Sequence, residues 1–534
     1  MKTKLTYILF AGILTLCSCI KKDLNIDPTR SNENNFDPNY LLTTAQLDYG
    51  NISEDQLYEL APMVQVLSST LDSYGGGDKY NLFLNSSNNR FFTNGMLASA
   101  KLLEAEFLAE KKDAESYSNL IQVSRIMWIM SMQRMTDIYG DIPYSEAGRA
   151  KLGIQYPKYD KQEDIYRDML PKLETAILAL SDDKSKRKVT GDLFYSGNIV
   201  QWRKFGYSLM LRIAMRLTKA APDLAQQYAE KCAGKTFDSN ADNALLHLDG
   251  TNDATQNRNS NALKANIGDV RWSSTFIDYL KKNDDPRLYV YTEKASAGLT
   301  NNENIDAPSF AYTKTIPAPG SFVTEIPMGM PNGYDLTGNR AITKAPGYPG
   351  PTGTGADLAP LGNYARPKGV FRLNKLPIFV ITYSQTQLLL AEAKVRGWNV
   401  GASTAKDSYA NGVTAAMQGL ELLNGELTMG AGVQAYINTH PLNESSPEKA
   451  LEDIASQYWI ATLFDFPESW SNYRRTGYPA LIPVNYPGNI TGATIPRRLT
   501  YPLTENGDNT TNYQEALQRM GGKDVPTANV WWGK

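Results

Sequence analysis

The sequence is poor in the residues on which many metal sites and catalytic sites are built. Its 534 residues include only three cysteines and two histidines. Histidine-based metal binding and catalysis by a Ser/His or Cys/His pair therefore have little material. The chain also lacks a dense Lys/Arg block beyond its first residues, and its 54 basic and 56 acidic residues nearly cancel. This balance excludes the electrostatic footprint of a nucleic-acid-binding protein, but it leaves open an enzyme that uses carboxylates.

The apolar run near the N terminus is too short to cross a bilayer. Lys2 and Lys4 precede this run, which extends from Tyr7 to Leu16 and ends in Leu16-Cys17-Ser18-Cys19. This order predicts a lipoprotein signal peptide over residues 1–18, with Cys19 as the lipidated first residue. Cys17 is a poorer candidate because the bulky Leu16 precedes it. The alternative is an ordinary secretory signal with incidental cysteines.

Cysteine usage and composition then predict how the mature chain is organised. If Cys17 leaves with the signal and Cys19 carries lipid, Cys232 remains alone and no intramolecular disulfide forms. Residues 19–39 are polar and rich in Asn and Asp, which indicates a flexible tether. Residues 40–534 are predicted to form a single domain that is held together by packing alone.

Helical periodicity covers much of that domain. The segments with this pattern are Glu54–Leu71, Tyr117–Ile138, Gln162–Leu180, Val200–Leu217, Asp223–Cys232, Ser274–Lys281, Tyr383–Trp398, Ser403–Leu423 and Glu448–Phe464. Long helices with short links indicate stacked hairpins like those of tetratricopeptide proteins, although no clean repeat at that period is visible. We therefore expect a mainly α fold with long irregular loops and few short strands.

Two glycine-rich stretches interrupt this pattern. Gly75-Gly76-Gly77 is predicted to end the first helix and to open a loop that reaches Asn89. A second stretch, Ser296–Lys368, is rich in Gly, Pro, Asn and Thr, and loops of this length are commonly functional or disordered. Its glycine cluster, Gly347–Gly355, lacks a Gly-Lys-Ser/Thr ending, which argues against a phosphate-binding loop.

Aromatic and polar side chains gather on three predicted loops. Sugars and extended peptides are bound by flat aromatic faces that amides and charged groups border, on loops that a rigid scaffold holds. The candidate ligand-binding residues are Tyr74, Asp78, Tyr80 and Asn81 on the first loop, Asn257, Arg258, Arg271 and Trp272 on a loop from Gln256 to Trp272, and Phe322, Asn332 and Tyr334 on the long loop.

Other charged residues favour structural roles. Glu392 and Arg396 have the spacing of a helical ion pair, and the neighbours of Glu468, Arg474 and Arg475 indicate a packed corner rather than an anion clamp. The acidic cluster around Asp249 lacks the spacing of an EF-hand loop, so a solvated turn is the preferred interpretation. No cofactor is predicted, although a structural calcium ion remains an alternative.

Several motifs occur in a recognisable order. They are Asp137-Ile138-Tyr139-Gly140-Asp141-Ile142-Pro143-Tyr144, Asp285-Pro286-Arg287-Leu288, the Tyr383–Trp398 helix, Pro467-Glu468-Ser469-Trp470, Tyr473-Arg474-Arg475-Thr476-Gly477-Tyr478-Pro479 and Ile495-Pro496-Arg497-Arg498-Leu499. In this order, and together with the lipidation motif, the chain resembles the SusD/RagB family of Bacteroidetes outer-membrane nutrient-binding lipoproteins.

The resemblance implies a function as well as a fold. It implies a tetratricopeptide-like platform, no catalytic residues, and a SusC-like TonB-dependent transporter barrel as the partner. The ligand would be a glycan or an oligopeptide, captured at the cell surface by a lipoprotein anchored in the outer membrane. Two alternatives remain: a surface hydrolase that acts on glycans through unrecognised carboxylates, and a structural adaptor without a ligand.

Overall fold

The computed structural model describes residues 35–52, 54–81, 85–295, 298–299, 309–310 and 327–534, with the backbone alone for 85–88, 294–295 and 309–310. Cys19, the predicted tether as far as residue 34 and Phe322 lie outside the described residues. Asn39–Lys534 forms one compact unit. Its first helix begins at Asn39, the last residue of the predicted tether.

Helices dominate the described chain, in agreement with the predicted fold class. The longer ones are α1 (Asn39–Gly50), α2 (Asn85–Asp113), α3 (Ser118–Tyr139), α4 (Gln162–Leu178), α5 (Ile199–Arg216), α6 (Pro222–Lys231), α7 (Arg258–Ala265), α8 (Ser274–Lys282), α9 (Tyr383–Val395), α10 (Ala405–Gly419), α11 (Gly432–Thr439), α12 (Pro447–Ala461), α13 (Phe466–Thr476) and α14 (Thr510–Arg519). Short α-helical turns occur at Ala61–Met63, Gly75–Asp78, Arg287–Tyr291 and Glu505–Asp508. Short 3₁₀ turns occur at Asp72–Tyr74, Ala150–Leu152, Asn240–Asp242, Ile342–Lys344, Gly355–Asp357, Gly369–Arg372, Leu420–Leu422, Gly425–Leu427 and Trp531–Gly533.

Neighbouring helices pack in pairs. The pairs are α2 with α3, α4 with α5, α9 with α10, and α12 with α13. Helix α3 also contacts α1, α4, α5 and α13, which explains why nearly all of its side chains are buried. The Met and Trp stripe predicted along α3 is therefore core, as expected from its composition. We call this stacked set of helices the helical platform.

Strands are short and join segments that are distant in the sequence. They are β1 (Leu67–Ser69), β2 (Ile142–Pro143), β3 (Tyr159–Asp160), β4 (Ala244–Leu246), β5 (Val270–Trp272), β6 (Thr292–Ala295), β7 (Ser309–Phe310), β8 (Arg366–Pro367) and β9 (Ile378–Ile381). The antiparallel pairs are β1 with β5, β2 with β3, β4 with β9, and β6 with both β7 and β8.

The helix predicted over Glu54–Leu71 is wrong in its second half. The chain forms a π-helical turn at Gln56–Leu60 and the short turn Ala61–Met63, and then leaves the helical conformation at Gln65, whose φ is 52°. Leu67–Ser69 continues as β1 because it pairs with β5. Tertiary pairing has overridden a local helical pattern.

Two predicted loops contain helices. Gly75–Asp78 is helical despite its three glycines. A Cβ on Gly77 would lie 2.0 Å from the Glu59 carbonyl oxygen, so only glycine permits this close approach. Helix α2 begins at Asn85, inside the loop predicted to reach Asn89. The predicted loop from Gln256 to Trp272 contains α7, which Asn257 caps through its bond from the Ser260 N–H.

A buried ionic corner joins α9 and α13. Arg475 donates to both carboxylate oxygens of Glu392, at 2.5 and 2.6 Å, and Arg396 donates to the same carboxylate at 2.8 Å. Burial alone would raise the pKa of Glu392, but the two guanidinium groups lower it to about 2. The predicted Glu392–Arg396 pair is confirmed, and a carboxylate with this pKa is unsuited to general acid catalysis.

The same corner continues through Glu468. Its carboxylate accepts from Arg216 at 2.5 Å and from the Tyr458 hydroxyl at 2.8 Å. Arg474 donates to the Asp137 carbonyl at 2.7 Å, and its guanidinium lies 3.7 Å from the centre of the Trp470 ring. All of these side chains are buried. The predicted structural pairing is confirmed.

The described end of the long loop has its own small core. Met330, Ile342, Ala345, Leu361 and Tyr364 form this cluster, separate from the main core. Isolated bridges hold it in place, among them Met328 with Tyr364 and Thr352 with Ala359. The glycine-rich stretch from residue 327 onward is thus an ordered substructure of the loop region.

Candidate functional site

The β1–β5 ladder is the base on which the predicted loops meet. Leu67 lies opposite Trp272 in this antiparallel pair. The Ser68 hydroxyl donates to the Pro331 carbonyl at 3.0 Å, and the Met330 N–H donates to the Trp272 carbonyl at 2.8 Å. The long loop is therefore fixed to the ladder where its described part begins.

Asp78 fastens the first loop to the long loop. Its carboxylate is fully buried and accepts from the Ser69 N–H at 3.3 Å, the Asn332 side-chain amide at 2.6 Å and the Gly333 N–H at 2.9 Å. Burial raises the pKa of Asp78 to about 6, against the lowering effect of the Lys79 charge and of these donors. Two predicted site residues, Asp78 and Asn332, are thus in direct contact, but they join loops.

An ion pair with one buried and one partly exposed partner lies next to this junction. The Lys79 ammonium is 3.2 Å from the Asp335 carboxylate, and the side chain of Lys79 is 1% exposed whereas that of Asp335 is 26% exposed. The Tyr486 hydroxyl donates to Asp335 at 2.9 Å. Burial and the neighbouring Asp335 raise the pKa of Tyr486, so the hydroxyl stays protonated and donates.

Tyr334 offers a second ring beside this pair. The Arg340 guanidinium lies 4.7 Å from the centre of the Tyr334 ring and donates to the Gly333 carbonyl at 3.0 Å. Both side chains are partly exposed. We call Lys79, Tyr334, Asp335, Arg340 and Tyr486 the loop rim. In it, the partly exposed side chains of Tyr334, Asp335, Arg340 and Tyr486 surround the buried Lys79 ammonium, which pairs with Asp335.

A third loop, residues 482–490, completes the surroundings of the loop rim. The Ile490 N–H donates to the Tyr80 carbonyl at 2.7 Å, and the side chains of Ile482 and Ile490 are exposed. Gly333 has a φ of 83°, and a Cβ there would lie 2.4 Å from Val484. Glycine is therefore required where the long loop and this third loop touch.

Four predicted binding residues are scaffold in the structure. Tyr74, Tyr80, Arg271 and Trp272 are fully buried. Tyr74 packs edge-on against Tyr58, and the Trp272 indole N–H donates to the Tyr291 carbonyl at 3.0 Å. Contact between these side chains and a ligand would require them to leave the core. Their aromatic and cationic character signalled an ordered loop junction rather than an exposed binding face.

The remaining predicted residues are divided between two places. Asn81 is partly exposed at the end of the first loop, and Asn332 and Tyr334 belong to the junction and the loop rim. Asn257 is buried at the start of α7, and Arg258 lies 3.5 Å from Glu54. The structure therefore does not bring Asn257 and Arg258 into the loop rim.

Sequence reasoning missed Lys79, Asp335, Arg340 and Tyr486. Local signals pointed to two of them: the Asn332-Gly333 turn precedes Asp335, and Tyr486 begins a Tyr486-Pro487-Gly488 turn. Neither signal shows that residues 79, 335 and 486 meet. That information lies in the tertiary fold.

The acidic cluster around Asp249 forms an exposed turn. Asp249 is exposed and accepts from the N–H of Thr251 at 2.9 Å, which fits the predicted solvated turn. Within the described ranges, no group of three or more His, Cys, Asp or Glu residues is placed to hold a metal ion. In the same ranges, no helix combines the length and apolar character needed to span a membrane.

Comparison with known proteins assigns the family. The model of the SusD-like family described as "Starch-binding associating with outer membrane" matches residues 30–314 and 336–502. The chain belongs to the SusD-like family. No curated protein sequence matches it.

Solved SusD-like structures share the fold. A protein titled a chitin-binding protein is 31% identical, with a TM-score of 0.77 over 93% of this chain and 100% of that one. A SusD-like protein titled Bacteroidetes AC2a is 26% identical, with a TM-score of 0.76 over the same shares. A SusD homologue from Bacteroides uniformis is 24% identical, with a TM-score of 0.72 over 94% of this chain and 100% of that one, and shows likeness of fold alone.

Proposed function

We propose that this SusD-like chain captures a glycan at the bacterial surface and delivers it to a SusC-like TonB-dependent transporter barrel. The glycan class rests on one observation. The chain is 31% identical to a protein titled as chitin-binding, over 93% of this chain and 100% of that protein. The oligopeptide considered from the sequence is the other ligand class. Chitin oligosaccharides are therefore the first ligands to test.

The loop rim is the proposed contact surface. Sugar rings stack on aromatic faces, and their hydroxyls bond to charged and amide groups. Tyr334 and Tyr486 supply the rings, and Asp335 and Arg340 supply the polar groups, while the buried Lys79 holds Asp335 in place. Because the Asp78 junction fixes both loops, the loop rim is organised before a ligand arrives, which reduces the ordering cost of binding.

A titration panel tests the ligand class. Isothermal titration of the mature chain with chitin, starch and acidic oligosaccharides, and with a set of oligopeptides, should show saturable binding to a neutral oligosaccharide. Binding to peptides alone would move the proposal to the oligopeptide class. An absence of binding to every ligand would favour the interpretation as a structural adaptor.

Catalysis is not part of the proposal. Two carboxylates at the loop junction already have other partners, since Asp78 accepts from backbone and amide donors and Asp335 pairs with Lys79. Incubation of the purified chain with the same oligosaccharides should leave their length unchanged. If the chain releases shorter products and one carboxylate substitution abolishes this activity, the surface hydrolase becomes the better interpretation.

The anchor and the transporter need separate tests. Cys19→Ala should release the chain from the outer membrane with its ligand affinity intact, because Cys19 is proposed to carry lipid only. Cys17→Ala is the matched control and should remain membrane-bound. Purification of the wild-type chain from outer membranes should recover a large barrel protein, and its repeated absence would contradict delivery to a transporter.

A further inference from the structure

A short basic segment lies at residues 184–188, between α4 and α5. It contains Lys184, Lys186, Arg187 and Lys188, and is an exception to the even mixing of charges along the sequence. Five residues are too few for the extended footprint of a nucleic-acid-binding protein. Lys186 is partly buried, and the other three cations are exposed. The segment shares no residue with the loop rim, and capture of a glycan gives it no role.

The basic segment is fixed against the start of α3. The Arg187 N–H donates to the Ser116 carbonyl at 2.8 Å, and the Arg187 guanidinium lies 4.8 Å from the centre of the Tyr117 ring. Just before the segment, the Ser181 N–H donates to the Asn119 side chain at 2.9 Å, and the Asn119 amide donates to the Ser181 carbonyl at 2.9 Å. The basic side chains are therefore carried by a backbone that the helical platform holds.

Nearby acidic residues neutralise the basic segment only in part. Glu115 pairs with Lys186 at 3.0 Å, and Asp182 pairs with an arginine of α5 at 3.0 Å. Asp183 and Asp113 are exposed, and each accepts from a backbone N–H. Within the described ranges, the three exposed cations of the segment make no salt bridge. They are available to an anionic partner.

The basic segment lies beside the point at which the predicted tether enters the folded unit. Helix α1 begins at Asn39, whose side-chain oxygen accepts from the Thr190 N–H at 3.0 Å. One turn further along α1, the Thr43 hydroxyl donates to the Gly191 carbonyl at 2.7 Å. Because consecutive Cα atoms are about 3.8 Å apart, the Cα atom of Lys188 lies within about 8 Å of that of Thr190.

Exposed apolar side chains accompany these cations. Tyr40, the second residue of α1, is 64% exposed, and Val200, the second residue of α5, is 51% exposed. A Cβ on Gly197 would lie 3.4 Å from the side chain of Lys188, so the lysine stem lies over the chain just before α5. Tyrosine rings and lysine stems suit a membrane interface, because each joins an apolar body to a polar end.

We propose that this surface docks on a membrane, with Lys184, Arg187 and Lys188 against the phosphates of anionic lipid headgroups. The proposal rests on the lipid anchor proposed at Cys19, because the tether joins Asn39 to the bilayer that holds the lipid. Once the lipid is inserted, docking is an intramolecular step, and a weak surface affinity is enough to orient the folded unit. Without the lipid, that affinity is too weak at physiological salt to retain the chain.

Co-sedimentation with lipid vesicles at low ionic strength tests the docking surface. The mature chain carries Cys19→Ala, so that no lipid of its own contributes. We expect binding to vesicles of phosphatidylcholine mixed with phosphatidylglycerol, and at least tenfold weaker binding to vesicles of phosphatidylcholine alone. High salt should abolish the difference, because it screens exposed charges.

A triple variant tests the named cations. Lys184→Ala, Arg187→Ala and Lys188→Ala together should weaken binding to the anionic vesicles at least tenfold, since each basic residue near an anionic surface contributes roughly fivefold. Circular dichroism should show a folded chain, because the three side chains are exposed and make no salt bridge within the described residues. Oligosaccharide affinity should stay unchanged.

The matched control removes the same charge from elsewhere on the surface. Lys375→Ala, Lys406→Ala and Lys523→Ala replace three exposed lysines that lie outside the basic segment. This variant should bind the anionic vesicles like the parent chain. An equal loss in both triple variants would show that net charge, rather than this surface, attracts the vesicles, and would overturn the proposal.

Three further results would also overturn it. They are an absence of binding to the anionic vesicles, equal binding to both kinds of vesicle, and unchanged binding in the variant of the basic segment. Each can occur while oligosaccharides still bind and while Cys19→Ala still releases the chain from the outer membrane. Failure of docking is therefore distinguishable from failure of the glycan site or of the anchor.

Discussion

The ionic corner of α9 and α13 and the loop rim use similar charged and aromatic residues in opposite surroundings. In the corner, Glu392 and Arg475 are both about 2% exposed and form a two-bond pair. In the loop rim, Lys79 is buried but its partner Asp335 is about a quarter exposed. The carboxylate of the first pair is satisfied within the protein by Arg475 and Arg396, while the second pair leaves carboxylate surface for a ligand. Exposure of one partner, rather than residue type, distinguishes the candidate site from the scaffold.

The largest expected effect comes from breaking the corner. Arg475→Ala removes the two-bond partner of buried Glu392, and the loss of one member of a buried pair costs about 3–5 kcal/mol. Urea unfolding followed by circular dichroism should show this loss. Arg167→Ala, which breaks an exposed pair with Glu163, is the control and should cost less than about 1 kcal/mol. Equal costs would show that burial does not distinguish the two kinds of pair.

The ionic corner and the Asp78 junction next to the loop rim should also respond to pH with opposite signs. Glu392 has a pKa of about 2 against an ordinary value of 4.5, so its stabilisation is present above pH 4.5 and is lost as the pH falls toward 2. Asp78 has a pKa of about 6 against 3.8, so its contribution is fully present below pH 3.8 and is lost as the pH rises through 6. Each change amounts to about 3 kcal/mol at most.

Single variants can assign each pH dependence to one residue. The measurement is the free energy of unfolding in urea, taken from pH 2 to 8. Glu392→Gln should remove the dependence below pH 4.5 and leave the one between pH 4 and 6. Asp78→Asn should do the reverse, although it also disturbs a junction in which both carboxylate oxygens accept from N–H donors. Persistence of both slopes in both variants would assign them to other groups.

A smaller effect is expected where the loops touch. Gly333→Ala forces a non-glycine residue into positive φ and places a Cβ 2.4 Å from Val484, at a cost of about 1–3 kcal/mol. Gly338→Ala is the matched control, because Gly338 has a similar φ of 85° but has open space around it. Thermal unfolding should rank Gly333→Ala below Gly338→Ala, and the reverse order would contradict the tight contact.

The smallest effect on stability is expected from Tyr486→Phe. This change removes one partly buried hydrogen bond, from the Tyr486 hydroxyl to Asp335. Such a bond contributes about 0.5–1.5 kcal/mol. We expect a small shift in the unfolding temperature but a several-fold loss of oligosaccharide affinity. Tyr156→Phe, at an exposed tyrosine outside the loop rim, should change neither quantity. Loss of stability without loss of affinity would make Tyr486 a scaffold residue.

The helical platform was largely predictable from sequence because burial imposes a period on its residues. Helix α3 was predicted over Tyr117–Ile138 and spans Ser118–Tyr139. Helix α2 was missed although only its start, Asn85-Ser86-Ser87-Asn88-Asn89, has the composition of a loop. The rest of the helix, from residue 97 to 112, is rich in Ala, Leu, Glu and Lys and carried a helical signal. The helix predicted through Leu71 failed since pairing with β5 is a long-range contact.

The loop rim could be predicted only in part. Tyr334 and Asn332 were identified from composition, whereas the ion pair of Lys79 with Asp335 joins positions that no local pattern connects. Composition also assigned Trp272 and Tyr80 to the binding face, although both are buried. Aromatic residues on glycine-rich loops indicate where loops are ordered, and tertiary structure then decides which rings face solvent.

The most direct test of the account is a titration of a chitin oligosaccharide into wild-type protein and into Tyr334→Ala, Arg475→Lys and Tyr40→Ala variants. The account predicts that Tyr334→Ala loses about tenfold in affinity, equivalent to about 1.4 kcal/mol, while the two variants outside the loop rim bind like the wild type when folded. Wild-type affinity in Tyr334→Ala, or an equal loss in Tyr40→Ala, would contradict capture of the glycan at the loop rim.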